Sequence, residues 1–371
     1  MSIYLDNSAT TKVCDQAVAA AVYAMQTCYG NPSSLHGMGL SAEKLLTNSR
    51  ETVAHALNCK PAEIIFTSGA TESNNIAILG AADAAKRRGN RIITTKTEHI
   101  SVLRPLEYLA GKGYEVVYLS PNAEGNYDPA DIISSIDSQT ILVSLSSVNS
   151  ETGAVIPIKE IATGIKNANK NTLIHIDACQ SFCRLRSVLG PVDMISVSGH
   201  KIQAPKGVGA LYVKKGVNLR PVLHGGDHEN KLRPGTESVP LIAAFGKAAE
   251  YTSGIMAGQY DRYLSLNKYL RTNLPNDVVI NSSIDAVPYI INISTTIKSE
   301  IMMHFLENHG IYVSSGSACS KGAKSHVLSA MGIPMARIDT ALRISMGADT
   351  TQDDLDQLLS GLRQGMERLR R

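Results

Sequence analysis

Met194-Ile195-Ser196-Val197-Ser198-Gly199-His200-Lys201 runs from an apolar strand pattern directly into a glycine, a histidine and a lysine. A lysine at the end of such a strand sits where a desolvated amine can form a covalent imine, while hydroxyl and imidazole neighbours suit a phosphate. Asp177 closes the preceding run in His175-Ile176-Asp177-Ala178-Cys179-Gln180. Neighbouring parallel strands lie about 4.8 Å apart, so residues at their carboxyl ends can flank one ring. A lysine-bound pyridoxal phosphate needs a carboxylate opposite its pyridine nitrogen, and Asp177 is placed to supply it.

Outward from this pair, strand-length apolar runs alternate with amphipathic stretches. Glu63 to Thr67 precedes Glu72 to Lys86, Arg91 to Thr95 precedes Ser101 to Ala110, and Ile141 to Ser146 precedes Ile158 to Ala168. The alternation predicts an α/β fold with a mostly parallel sheet covered on both faces. Leu173 to Ile176 and Met194 to Val197 continue the series, and Gly209 to Val213 is expected to end the sheet. After about residue 255 the order changes to a helix over Tyr260 to Leu270, a strand over Tyr289 to Ser294, a helix over Ser299 to Asn308 and a strand over Ile311 to Ser314. This predicts a large domain over 16–255 and a smaller α+β domain from 1–15 and 256–371. A last helix is signalled by Thr351 as N-cap, Asp353 and Asp354 in its first turn, and a stripe from Leu355 to Leu369.

In parallel sheets ligands sit beyond the carboxyl ends of the strands, which directs attention to the residues just after each run. Ser68-Gly69-Ala70-Thr71-Glu72-Ser73-Asn74 follows a strand and opens a helix, so its free N–H groups and the Thr71 hydroxyl can hold a phosphate. Taken alone, it also reads as an ordinary N-cap with a glycine turn. His99 follows the next strand and could stack on a ring and exchange protons, although a single histidine there is commonly structural. Cys319 lies in a small polar loop, Gly316-Ser317-Ala318-Cys319-Ser320-Lys321, which suits an accessible nucleophilic thiol. Arg343 interrupts an apolar strand, either as an ion-pair partner or as a bidentate clamp for a carboxylate.

The net charge of +3 carries no nucleic-acid footprint, and no uncharged apolar run approaches the ~18 residues needed to span a bilayer. The first residues lack the basic start and apolar run of a secretion signal, so a cytoplasmic address is expected, with no membrane and no direct nucleic-acid partner. The 6 cysteines show no CxxC pair, and neither a disulfide framework nor a metal site is expected.

Taken together, these segments resemble the cysteine desulfurases of the NifS and IscS kind, within the class V aminotransferases of fold type I pyridoxal-phosphate enzymes. The likeness extends to Tyr4 through Thr11, Gly30 to His36, Arg233 to Thr236 and Arg343 to Gly347. It implies a large domain with a mixed, mostly parallel sheet and a small domain carrying the cysteine loop. It implies pyridoxal 5'-phosphate held by Lys201, paired at its ring nitrogen with Asp177 and at its phenolic oxygen with Gln180, and stacked under His99. The phosphate is expected on Ala70, Thr71, Ser198 and His200, and on Thr236 of the second subunit of a homodimer. Arg343, helped by Asn7, is expected to hold the carboxylate of L-cysteine. Lys201 then removes the α proton, His99 takes the thiol proton, and Cys319 accepts the sulfur as a persulfide, leaving L-alanine.

Two departures from the family pattern stand out. Where it has two asparagines before a glutamate, this chain reads Asn149-Ser150-Glu151, so the cofactor contact falls to the Ser150 hydroxyl or to Asn149. The stretch from Ser320 to Lys324 is shorter than in IscS-like proteins, which closes at lower entropy and reaches less far. An acceptor protein, whether an iron–sulfur scaffold or a thiolation protein, must then approach the pocket. Lys321 and Lys324 add positive charge that favours a thiolate at Cys319. Within the fold the alternatives are a selenocysteine lyase or another class V enzyme, and outside it a non-catalytic sulfur carrier or scaffold.

Overall fold

The computed structural model describes residues 2–186, 190–315 and 324–369. Cys319 and Lys321 lie outside the described residues. Twelve strands are described: β1 Ile3–Tyr4, β2 Ile64–Thr67, β3 Arg91–Thr95, β4 Glu115–Leu119, β5 Thr140–Ser146, β6 Leu173–Asp177, β7 Met194–Ser198, β8 Gly209–Val213, β9 Val279–Ile280, β10 Ile290–Ser294, β11 Ile311–Tyr312 and β12 Ala341–Ser345.

Seven of them form one sheet in the order β2-β8-β7-β6-β5-β3-β4. β8 pairs antiparallel with both β2 and β7, and every other pairing is parallel. The expected α/β fold is present, with one adjustment. β8 is the last of these strands in sequence but sits inside the sheet, leaving β2 and β4 at the edges. The continuous burial of β8 from Gly209 to Tyr212 agrees with an interior position. β4 was not anticipated: its Glu115 is exposed and its other residues are only half-buried, as suits an edge.

Helices cover both faces, as a parallel sheet requires. On one side Ala70–Ala85 and Ile100–Ala110 pack Ile76, Ala77, Val102 and Leu106 against Ile92, Leu142 and Leu211. Small residues set how closely the first helix approaches: a Cβ at Gly80 would meet Arg220 O at 2.8 Å. The other face buries Val143, Ile174, Ile195 and Val197 with Val53, Ile161 and Phe245.

A second sheet, β12-β10-β9, is antiparallel and packs with Met302, Leu306, Leu355, Leu358 and Leu362. The last helix, Gln352–Arg368, begins at the expected N-cap, Thr351, which forms a capping box with Asp354. β11 is shorter than expected because it pairs in parallel with β1, whereas Ser314 bridges Arg343 on β12. The helix expected over Tyr260 to Leu270 belongs to one 35-residue helix, Val239–Asn273. It runs through the boundary expected at 255/256, burying Phe245 in the core of the large sheet and Leu270 in that of the small one. Gly254 and Gly258 weaken the local helix signal there, yet neither supports a close approach, since a Cβ at either would meet nothing within 4 Å.

Candidate active site

Parallel pairing brings the carboxyl ends of β3, β5, β6 and β7 to one edge, and two antiparallel pairings through β8 bring that of β2 to the same edge. Register places Ser146 beside Asp177 and Asp177 beside Ser196, so Asp177 stands in the middle of that edge. A cavity of about 620 Å³ opens over it, lined by residues of all five strand ends together with Ser8, Ala9, Thr10, His326 and Arg343.

Along the first wall, Asp177 is buried and accepts from Asn74 Nδ2 at 2.8 Å and from the Cys179 amide at 3.0 Å. His99 caps helix Ile100–Ala110, its Nδ1 accepting from the Ser101 amide at 3.1 Å. Lys201 follows β7 through a short 3-10 turn, Gly199–Lys201, and its Nζ donates to the carbonyls of Ser8 and Ala9. Burial of the ammonium end lowers the Lys201 pKa to about 8, with Arg343 adding to the effect. Burial also lowers His99, with Asp177 opposing the shift, and brings His200 down to about 4.

Arg343 provides the facing wall from β12. Only 3% exposed, it donates from Nη2 to Asp6 Oδ1 at 2.8 Å and from Nη1 to the Ser150 carbonyl at 3.1 Å, while Nε has no hydrogen-bond partner. Two buried glutamates brace the rim. Glu98 accepts from Thr95 Oγ1 and from the amide and hydroxyl of Ser146, and Glu151 accepts from Ser325 Oγ. Burial pushes each up to about 7 against those hydrogen bonds. His326 Nε2 meets the Glu98 carbonyl at 2.9 Å.

Of the expected site residues, Ala70, Thr71, His99, Asn149, Ser150, Asp177, Gln180, Ser198, His200, Lys201 and Arg343 line this cavity. Two do not. Asn7 donates from Nδ2 to the carbonyls of Tyr4 and Ser345 and lies against Gly347, where a Cβ would come within 2.4 Å of its Oδ1. Its amide therefore anchors the N-terminal segment to β12, which corrects the expectation that it helps hold a substrate carboxylate. Thr236 lies away from the cavity, past a loop in which Glu229, Asn230 and Lys231 all have positive φ. Arg50 holds that loop through Nη2 to Glu229 Oε1 at 2.5 Å and Nη1 to Oε2 at 2.9 Å. Asn149 lines the cavity, but its Oδ1 accepts from the amides of Glu151 and Thr152 and its Nδ2 donates to the Thr97 carbonyl. The oxygen thus closes the turn, while Nδ2 ties that turn to the segment after β3. Asn74, Ser101, Glu98, Glu151 and His326 were missed as individual residues. The buried polar face of helix Ala70–Ala85, Ser73 and Asn74, is the signal that could have found Asn74.

The donor set fits pyridoxal 5'-phosphate. Gly69 has φ +149°, no side chain caps helix Ala70–Ala85, and a Cβ at Gly69 would touch Ser198 Oγ at 3.6 Å. This leaves a cradle of free amides and a hydroxyl of phosphate size. Gln180 also lines the cavity, its Nε2 on the Ser8 carbonyl and its buried Oε1 without a partner, which leaves amide capacity for a polar ring substituent. Among the described residues no group of histidine, cysteine or carboxylate side chains could hold a metal, and no helix is long and apolar enough to cross a membrane.

Comparison with known proteins agrees with this geometry. The profile of the family described as aminotransferase class-V matches residues 3–358. A protein of Dictyoglomus turgidum named cysteine desulfurase IscS is 38% identical over 99% of this chain and 95% of its own length. One of Methanosarcina thermophila with the same name is 37% identical over 100% of this chain and 93% of its own. Among solved structures, a NifS-like protein superposes with a TM-score of 0.93 at 35% identity, covering 100% of both chains. One described as SspA in complex with cysteine reaches 0.83 at 32% identity, covering 93% of this chain and 99% of its own.

Proposed function

We propose that this chain, which belongs to the class-V aminotransferase family, works as a cysteine desulfurase: L-cysteine enters the cavity, L-alanine leaves, and the sulfur stays on Cys319. The observation that carries the reading is the convergence of Asp177, Lys201 and His99 from one sheet with Arg343 from the other on a single cavity. Pyridoxal 5'-phosphate, linked to Lys201, supplies the electron sink that makes the α proton of the substrate acidic. Asp177 would hold the ring nitrogen, Gln180 the phenolic oxygen, and the cradle of Ala70, Thr71, Ser198 and His200 the phosphate.

Arg343 is fixed by Asp6 and Ser150 before substrate arrives, so its guanidinium meets the cysteine carboxylate with little further ordering. The buried Lys201 amine, its pKa lowered to about 8, would be a base of suitable strength for the α proton at neutral pH. The Cys319 thiolate then attacks the substrate sulfur. The carbon–sulfur bond breaks, a sulfur–sulfur bond forms, and the carbon takes a proton, so that one thiol and one cysteine become one persulfide and one alanine. Cys179, although in the cavity, is no substitute, because burial next to Asp177 raises its thiol pKa well above the ordinary value.

The protein is read as a cytoplasmic homodimer that hands its sulfur to an acceptor protein docking at the cavity mouth. Tyr29 and Leu35, at 68% and 105% exposed, together with Met38 and Leu40, support a second copy seated over these residues. A partner seated there offers a route by which Thr236 of the partner subunit meets the phosphate. The free thiols at the described Cys14, Cys28, Cys59, Cys179 and Cys183 agree with a reducing compartment.

Cys319→Ser tests the reading. The variant is expected to bind cofactor and change its spectrum with cysteine as the wild type does, yet to lose alanine and sulfide production, because a hydroxyl is almost entirely protonated at neutral pH. Turnover to alanine at a near wild-type rate would replace this chemistry with an elimination or a transamination.

A further inference from the structure

A chain of three hydrogen bonds connects Asp177 to His99. Asn74, fully buried, donates one Nδ2 proton to Asp177 Oδ2 at 2.8 Å and the other to Ser101 Oγ at 2.8 Å. Ser101 Oγ lies 2.8 Å from His99 Nδ1, and the Ser101 amide donates to the same nitrogen at 3.1 Å. The direction of each bond follows from its neighbours. A carboxylate can only accept, so the Asn74 amide must present its NH2 group and not its oxygen. The Asn74 Oδ1 atom is consequently buried without a partner, a cost the fold accepts for the sake of the two donations. Ser101 Oγ accepts from Asn74 and therefore turns its own proton toward His99. Nδ1 already receives the helix amide, and a proton on it would oppose both donors.

We infer that Asn74 is a positioning residue that, through Ser101, fixes His99 as the neutral tautomer with its proton on Nε2 and ties that tautomer to the charged state of Asp177. His99 then meets the pocket as an N–H donor and not as a base. Its part is to hydrogen-bond the thiolate form of an incoming cysteine instead of removing the thiol proton. That part rests on the desulfurase reading, whereas the tautomer stands on the hydrogen bonds alone. The charged and titratable groups that act on His99 are Asp177, which favours a second proton, and Lys201 and His326, which disfavour it, and His200 is a further titratable neighbour.

The holoenzyme labelled with 15N-histidine and kept free of cysteine tests the tautomer, the His99 signals being those that vanish in His99→Gln. At pH 7 the wild type is expected to show an unprotonated Nδ1 and a protonated Nε2. A protonated Nδ1 overturns the inference. Ser101→Ala removes one donor to Nδ1 and is expected to raise the pH at which His99 takes its second proton by up to about one unit, the size that one hydrogen bond to a single protonation state supports. Asn74→Ala is expected to shift the same titration in the same direction and also the cofactor absorbance, because Asp177 loses a donor. A lower melting temperature with both titration and spectrum unchanged would reduce Asn74 to a packing residue. If Asn74→Ala does not fold, the wild-type spectra and Ser101→Ala still decide. Because cysteine is absent, these spectra can fail while desulfuration survives, and the Cys319→Ser assay can fail while they hold.

Discussion

The two walls of the cavity are built in different ways. The wall on the seven-stranded sheet comes from strand ends, and its first supports are local: Ser101 holds His99 and the Cys179 amide holds Asp177, with Asn74 and the carbonyls of Ser8 and Ala9 reaching Asp177 and Lys201 from elsewhere in the chain. The facing wall offers Arg343, held by Asp6 and Ser150, which are 337 and 193 residues distant in sequence. One wall is a repeated local device, a strand end feeding a helix or turn. The other exists only after distant segments have docked. The first can therefore keep its cofactor contacts while the second is altered, whereas damage at the first removes the chemistry altogether.

Lys201→Ala breaks the first wall and should have the largest effect: complete loss of the borohydride-reducible link between cofactor and protein, and of turnover. A reducible adduct surviving in the purified variant would mean that another lysine carries the cofactor. On the second wall, Arg343→Lys keeps the charge but not the planar fork, so kcat/KM for cysteine should fall roughly 10- to 100-fold with the cofactor spectrum unchanged. Steady-state kinetics beside an absorbance scan checks this, and a disturbed spectrum would show that the walls are not separable.

The smallest effect concerns the interior of the large sheet. His175 is buried between Ser144 Oγ at 2.8 Å and Ser196 Oγ at 2.9 Å, and burial lowers its pKa to about 4. Between pH 6.5 and 4 the unfolded chain binds a proton there that the folded chain does not, so its contribution to stability is present above 6.5 and is lost as pH falls. The stability lead of the wild type over His175→Gln should shrink over that window by on the order of 3 kcal/mol. Parallel melting curves across the window would show that this site is already protonated in the fold. Glu98 and Glu151, raised to about 7, act with the opposite sign between pH 4.5 and 7, so only the difference between the two proteins isolates His175.

The large-sheet wall was legible in the sequence because its signals are local. An apolar run, then a small or polar residue, then a helix start occurs once per strand, and Asp177, His99 and Lys201 each stand at such a break. β4 escaped because an edge strand is only half-buried and lacks a clear apolar run. The 35-residue helix was read short because two glycines interrupt its pattern without interrupting its backbone. Asn7 and Asn149 show the limit on side-chain roles. An asparagine amide can bind a ligand or close a turn, and composition does not distinguish the two uses.

The order of strands and helices, the phosphate-type loop, the placement of lysine and aspartate at neighbouring strand ends and the class of chemistry they support were determined by the sequence itself, since each depends on periodicity or on a few adjacent residues. Tertiary structure alone decided the interior place of β8, the union of Arg343 with Asp6 and Ser150, the use of the Asn7 amide to anchor the N-terminal segment and of the Asn149 oxygen to close a turn, and the bridge from Asp177 through Asn74 and Ser101 to His99. These depend on which groups reach one another across long stretches of chain. Every buried donor or acceptor must find its partner there or stay unpaired at a cost.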